Sequence, residues 1–197
     1  IIEMKQFFDN LKQEIQLAIE KDVKNIFCEI GKEKVYAIAL VTDSDCITLY
    51  MAINTCEYLK KKDEQYIKML EGRVTEEKIK RIKEGLDSFT KWIPAEWGYS
   101  DGKNSELTKI SRKLYEKEES DPTEYAKNKS LFFETVTSSF KEIIEKKIFG
   151  TNSEEVTYFI SISDGDEIYE IENYSAKLLN SDTIYEQFLN RMNCEEW

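Results

Sequence analysis

Two continuous apolar runs, residues 35–42 and 46–53, are separated only by Asp43-Ser44-Asp45, and they constrain the fold more than any other feature of the chain. Both are rich in Val, Ile, Leu and Tyr and lack a sustained polar alternation. A strand of that kind has to be covered on both faces. Two of them joined by three turn-forming residues predict a hairpin at the centre of a sheet.

The rest of the chain reads mainly as helix. Phe7, Phe8, Leu11, Ile15, Ala18 and Ile19 recur at helical spacing and predict an amphipathic helix over 2–22. Asn54 or Thr55 caps the next one, with Glu57 in the capping-box position and Gly72 as its stop. Thr75 opens a helix that carries Ile79, Ile82, Leu86, Phe89 and Ile93 up to Pro94. Asn104 or Ser105 starts a shorter one, and Asp121-Pro122 starts a long one that buries Phe132, Phe133, Val136, Phe140, Ile143 and Ile144 before Gly150.

Residues 156–163 alternate apolar and polar, which predicts a half-buried strand joining the hairpin's sheet, with Asp164-Gly165-Asp166 as its turn. Residues 168–171 read as a short strand or as the entry to a helix ending near Asn180. Ser181 or Asp182 caps a last helix with Ile184, Phe188, Leu189 and Met192 inward. This order predicts one α+β domain over 1–197: a small, mostly antiparallel sheet (central hairpin 35–53 plus strand 156–163) packed by several helices.

Composition narrows the function. The chain contains no histidine, which excludes Ser-His-Asp and Cys-His catalysis, histidine zinc sites and a neutral-pH imidazole switch. Its net charge of −11 makes nucleic acid an unsuitable partner, because phosphate binding depends on lysine and arginine displacing counterions. No apolar run approaches the ~18 residues of a membrane span, and residues 1–9 lack the features of a signal peptide, so a cytoplasmic location is expected. Cys28, Cys46 and Cys56 sit in apolar stretches and, with Cys194, read as reduced structural thiols. No cofactor is implied.

Three segments resemble the pattern of a bacterial family, domain of unknown function 4303. They are residues 36–43 leading through the hairpin to Asn54-Thr55, the run Trp92-Ile93-Pro94-Ala95-Glu96-Trp97-Gly98-Tyr99, and residues 158–164 with Ser175 and Asn180. The resemblance spans nearly the whole chain. It implies a small soluble protein without an established activity, some of whose relatives occur beside toxin and immunity genes, and it supplies no catalytic residues.

Three candidate sites stand out. Trp92, Trp97 and Tyr99 surround Glu96 and would either line a pocket or pin a segment to the core. If Glu96 is buried among those rings, its pKa rises and it becomes a candidate general acid or base. Asp43 and Asp45, with Asp164 and Asp166, would form a hard-cation site only if the two turns converge; otherwise they are turn residues.

The third candidate is electrostatic. Residues 151–197 hold eleven acidic side chains against two basic ones, a formal −9 of the chain's −11. Interleaved with apolar positions, they predict an ordered anionic face on which Glu170, Glu172 and Glu186 steer a basic partner. The preferred expectation is therefore a non-enzymatic protein-binding module of the immunity type, neutralising a basic toxin with help from the Trp and Tyr anchors. The alternative is a carboxylate-based, metal-assisted enzyme using Glu96.

Overall fold

The computed structural model describes residues 2–150 and 155–192. Expectations that fall on Glu154, Cys194, Glu195, Glu196 and the Met192 side chain lie outside the described residues and side chains. The chain runs through α1 (Ile2–Ile30), β1 (Val35–Thr42), β2 (Tyr50–Thr55), α2 (Cys56–Met69), α3 (Glu76–Lys83), β3 (Tyr99–Ser100), α4 (Glu106–Ser120), α5 (Pro122–Lys127), α6 (Lys129–Glu145), β4 (Thr157–Ile162), α7 (Ile168–Leu179) and α8 (Asp182–Leu189). Single 3₁₀ turns lie at Pro94–Glu96 and Asn190–Met192. No helix among the described residues is long and apolar enough to cross a membrane.

The architecture is α+β, and the sheet order is β3-β2-β1-β4. β1 pairs antiparallel with β2, and β2 with β3, but β1 and β4 run parallel, so the sheet is mixed. More than a hundred residues separate β1 from β4, and the intervening helices return the chain to the end at which β1 began. A parallel pair requires such a crossover.

Alternation along β1 divides the core in two. Ile38 and Leu40 join Met51, Ile53, Tyr158 and Ile160 under α1, α4 and α6. Ala37, Ala39, Val41, Ala52 and Phe159 face a smaller aromatic layer with Trp97 and Phe188, against which Trp92 and Tyr185 pack. Because that second layer exists, β4 is buried on both faces and not on one as its alternation suggests.

Four other boundaries depart from the sequence pattern. α1 runs on to Ile30 because Val23, Ile26 and Ile30 extend the buried stripe, and Gly31 ends it at φ +62°. β2 starts at Tyr50 because residues 46–49 form a loop in which Cys46 and Leu49 are buried and Thr48 is exposed: Cys46 turns at φ +60°, and its carbonyl accepts from the Tyr125 hydroxyl at 2.6 Å. α3 stops at Lys83, where Gly85 takes φ +74° and the Leu86 N–H bonds Arg81 O at 2.9 Å. Asn128, at φ −114°, divides the long helix into α5 and α6. The two-residue strand β3 was not expected.

Both sides of the sheet are closed by side chains. On the β4 side, α7 lies along the strand: Asn180 accepts from Tyr158 N at 2.9 Å and donates to Tyr158 O at 2.6 Å, and Ser175 Oγ accepts from Ile160 N at 2.8 Å. On the other side, beyond the short β3, Asp101 accepts from Met51 N at 2.7 Å and Ser111 Oγ from Leu49 N at 2.9 Å. Burial holds the Asp101 carboxyl above its ordinary range. Edges satisfied in this way offer no template for another strand.

The thiols divide by location. Cys46 is buried, and burial pushes its thiol up to about 12, while Cys28 and Cys56 are exposed. They are not the buried thiols their apolar neighbours suggest, because each sits on the outward side of its helix. In a Cys194→Ser variant, titration with an aromatic disulfide reagent should modify two thiols rapidly and Cys46 only on unfolding. Three fast equivalents would contradict the placement of Cys46.

Candidate functional site

The segment from Trp92 to Gly98 crosses the second face of the sheet with both tryptophan rings turned inward, and Tyr99, in β3, packs against the first core. Trp97 is buried, its Nε1 donating to Lys91 O at 3.1 Å and its ring standing edge-on to Phe159 with centroids 5.7 Å apart. Trp92 packs edge-on against Tyr36 at 5.9 Å and Phe188 at 5.2 Å. Tyr36 Oη donates to Lys91 O at 2.8 Å and accepts from the buried Asn54 at 2.9 Å, and Asn54 in turn accepts from Gly98 N at 3.2 Å. Burial raises the Tyr36 phenol pKa.

Gly98 is required here, since a Cβ at that position would lie 2.5 Å from the Tyr58 ring. Tyr99 donates to Glu33 at 2.6 Å, and this acceptor holds its phenol up at about 12. These residues clamp the 91–99 segment to the sheet. Glu96 points elsewhere: its side chain is 36% exposed, its carboxylate lies 3.1 Å from Lys62 Nζ, and the Tyr66 hydroxyl is at 3.5 Å. The burial on which an acid role depended is absent.

The two aspartate turns do meet, because parallel β1 and β4 end at the same edge of the sheet. The oxygens of Asp43, Asp45 and Asp164, however, are engaged by backbone N–H groups, hydroxyls and a lysine. Asp164 accepts from Ser44 N at 2.9 Å and Ser44 Oγ at 3.0 Å, and these bonds hold its carboxyl below the ordinary range. Asp43 accepts from Asp45 N, Ile47 N and the Thr48 hydroxyl, and Asp45 pairs with Lys129 at 3.2 Å. Asp166 lines a groove of about 370 Å³ with Ser44, Lys129, Phe133, Ile162 and Ile171. Among the described residues, no three Cys, Asp or Glu side chains are placed to hold a metal ion.

The acidic face is real in part. Glu170 and Glu186 are exposed, as are Asp166, Glu167 and Asp182. Glu172 is not on it: only 3% exposed, it lies under α7 with Oε1 3.3 Å from Arg191 Nη2. The helical stripe Ile168, Glu172, Ser175, Leu179 faces inward, and that spacing was the overlooked signal. Burial raises the Glu172 carboxyl pKa, opposed by Arg191, and burial lowers Arg191 in the same way.

Sequence reasoning also missed the side chains that accompany the exposed carboxylates. Tyr169 is 52% and Tyr174 68% exposed on α7, which also exposes Leu178, and Leu189 is exposed on α8. Along the outer stripe of α7, Glu167, Glu170, Tyr174 and Leu178 follow at three- and four-residue spacing. Lys177 is the one exposed cation of α7 and α8.

No curated protein and no solved structure matches the chain. A family model does, over residues 15–181, a span that takes in the clamp segment and Ser175 and Asn180 on the β4 edge. By that match, the chain belongs to the family described as Domain of unknown function (DUF4303).

Proposed function

We propose that this chain is a non-enzymatic protein-binding module that receives a basic partner on the outer face of α7 and α8. The observation that carries this reading is the mixture on α7, where Tyr174 and Leu178 stand exposed on one stripe with Glu167 and Glu170, while Tyr169 on α7 and Asp182, Glu186 and Leu189 on α8 are exposed as well. Exposed tyrosines beside fixed carboxylates suit an interface, which uses rigid aromatic anchors inside a charged rim. The carboxylates are fixed on helices, so their field speeds encounter with a cationic surface and orients it.

An immunity-type role, in which the module occludes a basic toxin in the cytoplasm, fits this chemistry best. Trp92 contributes from beneath, by packing on Phe188 and so supporting α8, and Trp97 and Tyr99 serve the fold and not the contact surface. The test is whether a basic protein encoded next to its gene in the source genome binds it, followed by anisotropy. Affinity should fall steeply between low and physiological salt, and Glu167→Lys with Glu170→Lys and Glu186→Lys should lower it by about 10- to 100-fold. Binding that ignores both salt and these reversals would sink the proposal.

A further inference from the structure

The outer face of α7 and α8 combines rings with carboxylates, and one guanidinium is already held by the same combination inside the fold. Arg191 Cζ lies 3.7 Å from the Phe188 ring centroid and 5.8 Å from that of Tyr169. Its Nη2 reaches Glu172 at 3.3 Å, and its Nη1 donates to Asn173 Oδ1 at 2.6 Å and Phe188 O at 2.9 Å. On the outside of α7 the same elements recur without a guanidinium. Glu170 and Tyr174 are four residues apart on one stripe, Glu167 precedes them by a turn, and Tyr174 is 68% exposed.

This inference rests on the protein-binding reading given above: we propose that the α7–α8 face selects arginine, so that its partner is a protein whose contact surface presents guanidinium groups and not lysine ammonium groups. Charge alone does not discriminate between the two, since both carry +1. The rings do. A planar guanidinium stacks on a tyrosine face while its N–H fork meets a carboxylate, and it sheds its water readily; a compact ammonium keeps its hydration shell and has no plane to stack. Tyr174 beside Glu170 offers that pair of contacts to an incoming side chain, as Phe188 and Glu172 do for Arg191.

Fluorescent nona-arginine and nona-lysine, matched in charge, probe this directly by anisotropy at one ionic strength. Nona-arginine should bind about 10-fold more tightly. Tyr174→Ala should bring the two peptides to equal affinity while leaving nona-lysine unchanged, and Tyr174→Phe, which keeps the ring, should retain the preference. Glu167→Lys with Glu170→Lys should weaken both. Equal binding of the two peptides by the unaltered protein, or a preference that survives Tyr174→Ala, overturns arginine selection and leaves the protein-binding reading standing. Failure of both peptides to bind overturns the two together.

Discussion

Replacing Asn180 with alanine should lower the stability of the protein by about 2–4 kcal/mol, read as a shift of the urea midpoint at unchanged slope. The side chain makes three bonds: it accepts from Tyr158 N and donates to Tyr158 O and to Ala176 O at 2.8 Å. Tyr158 is a buried residue of β4, and among the described residues no strand lies beyond it to take over the two groups. Alanine leaves both without a partner, and each unsatisfied buried group costs about 1–3 kcal/mol. At 197 residues the loss corresponds to a fall of roughly 5–15 °C in Tm. Asn180→Asp should be no milder, because it keeps the acceptor but turns a second acceptor toward two carbonyl oxygens. A midpoint within about 0.5 kcal/mol of the parent for both variants would show that the β4 edge does not depend on this side chain.

Much of the fold is legible because burial writes itself as periodicity. The Leu107, Ile110, Leu114 spacing and the Ser105 cap yield α4 directly, and Ser105 indeed accepts from Thr108 N at 3.0 Å. Direction is not written that way. The apolar pattern of residues 156–163 is the same whether the strand runs with β1 or against it; what decides is the end of the sheet to which the intervening helices return the chain. Burial also misleads where it has no regular backbone beneath it. Cys46 and Leu49 are apolar because they anchor a loop in the core, not because they lie in a strand, and Leu86, Phe89 and Ile93 keep helical spacing past a glycine that has already ended α3.

The candidate sites divide along the same line. A cluster of rings around a carboxylate in sequence placed Trp92, Trp97, Tyr99 and Glu96 together, but a short 3₁₀ turn sends Glu96 outward to Lys62 while the tryptophans go in. Neighbours in sequence are not neighbours on a face. The acidic C-terminal region misled in one position for the opposite reason. Glu172 was grouped with its neighbours by charge, although the helical stripe of Ile168, Ser175 and Leu179 assigned it to the interior, where one of the two cations in that region was available to meet it.

That buried pair carries the other large effect. Arg191→Met should destabilise the fold by about 3–5 kcal/mol at neutral pH, because it strands the Glu172 carboxylate beneath α7. Glu172→Met should cost a similar amount by stranding the guanidinium. The double variant should recover most of the loss, since two apolar side chains of similar volume need neither partner nor water. The pH dependence has a definite sign. Burial raises the Glu172 pKa in the folded state and Arg191 opposes that rise, so removing Arg191 raises it further. A carboxyl with a raised folded pKa contributes stability that is fully present below its unfolded value, ~4.3, and is lost as pH climbs through the folded value. Relative to the parent, Arg191→Met should therefore be least destabilised near pH 4 and progressively more so towards pH 7, whereas Glu172→Met, which has no carboxyl to protonate there, should not show that trend. Urea midpoints across this range decide it: a penalty for Arg191→Met that is flat with pH, or a double variant no better than the singles, would mean that the pair is held by its ring and backbone contacts and not by charge.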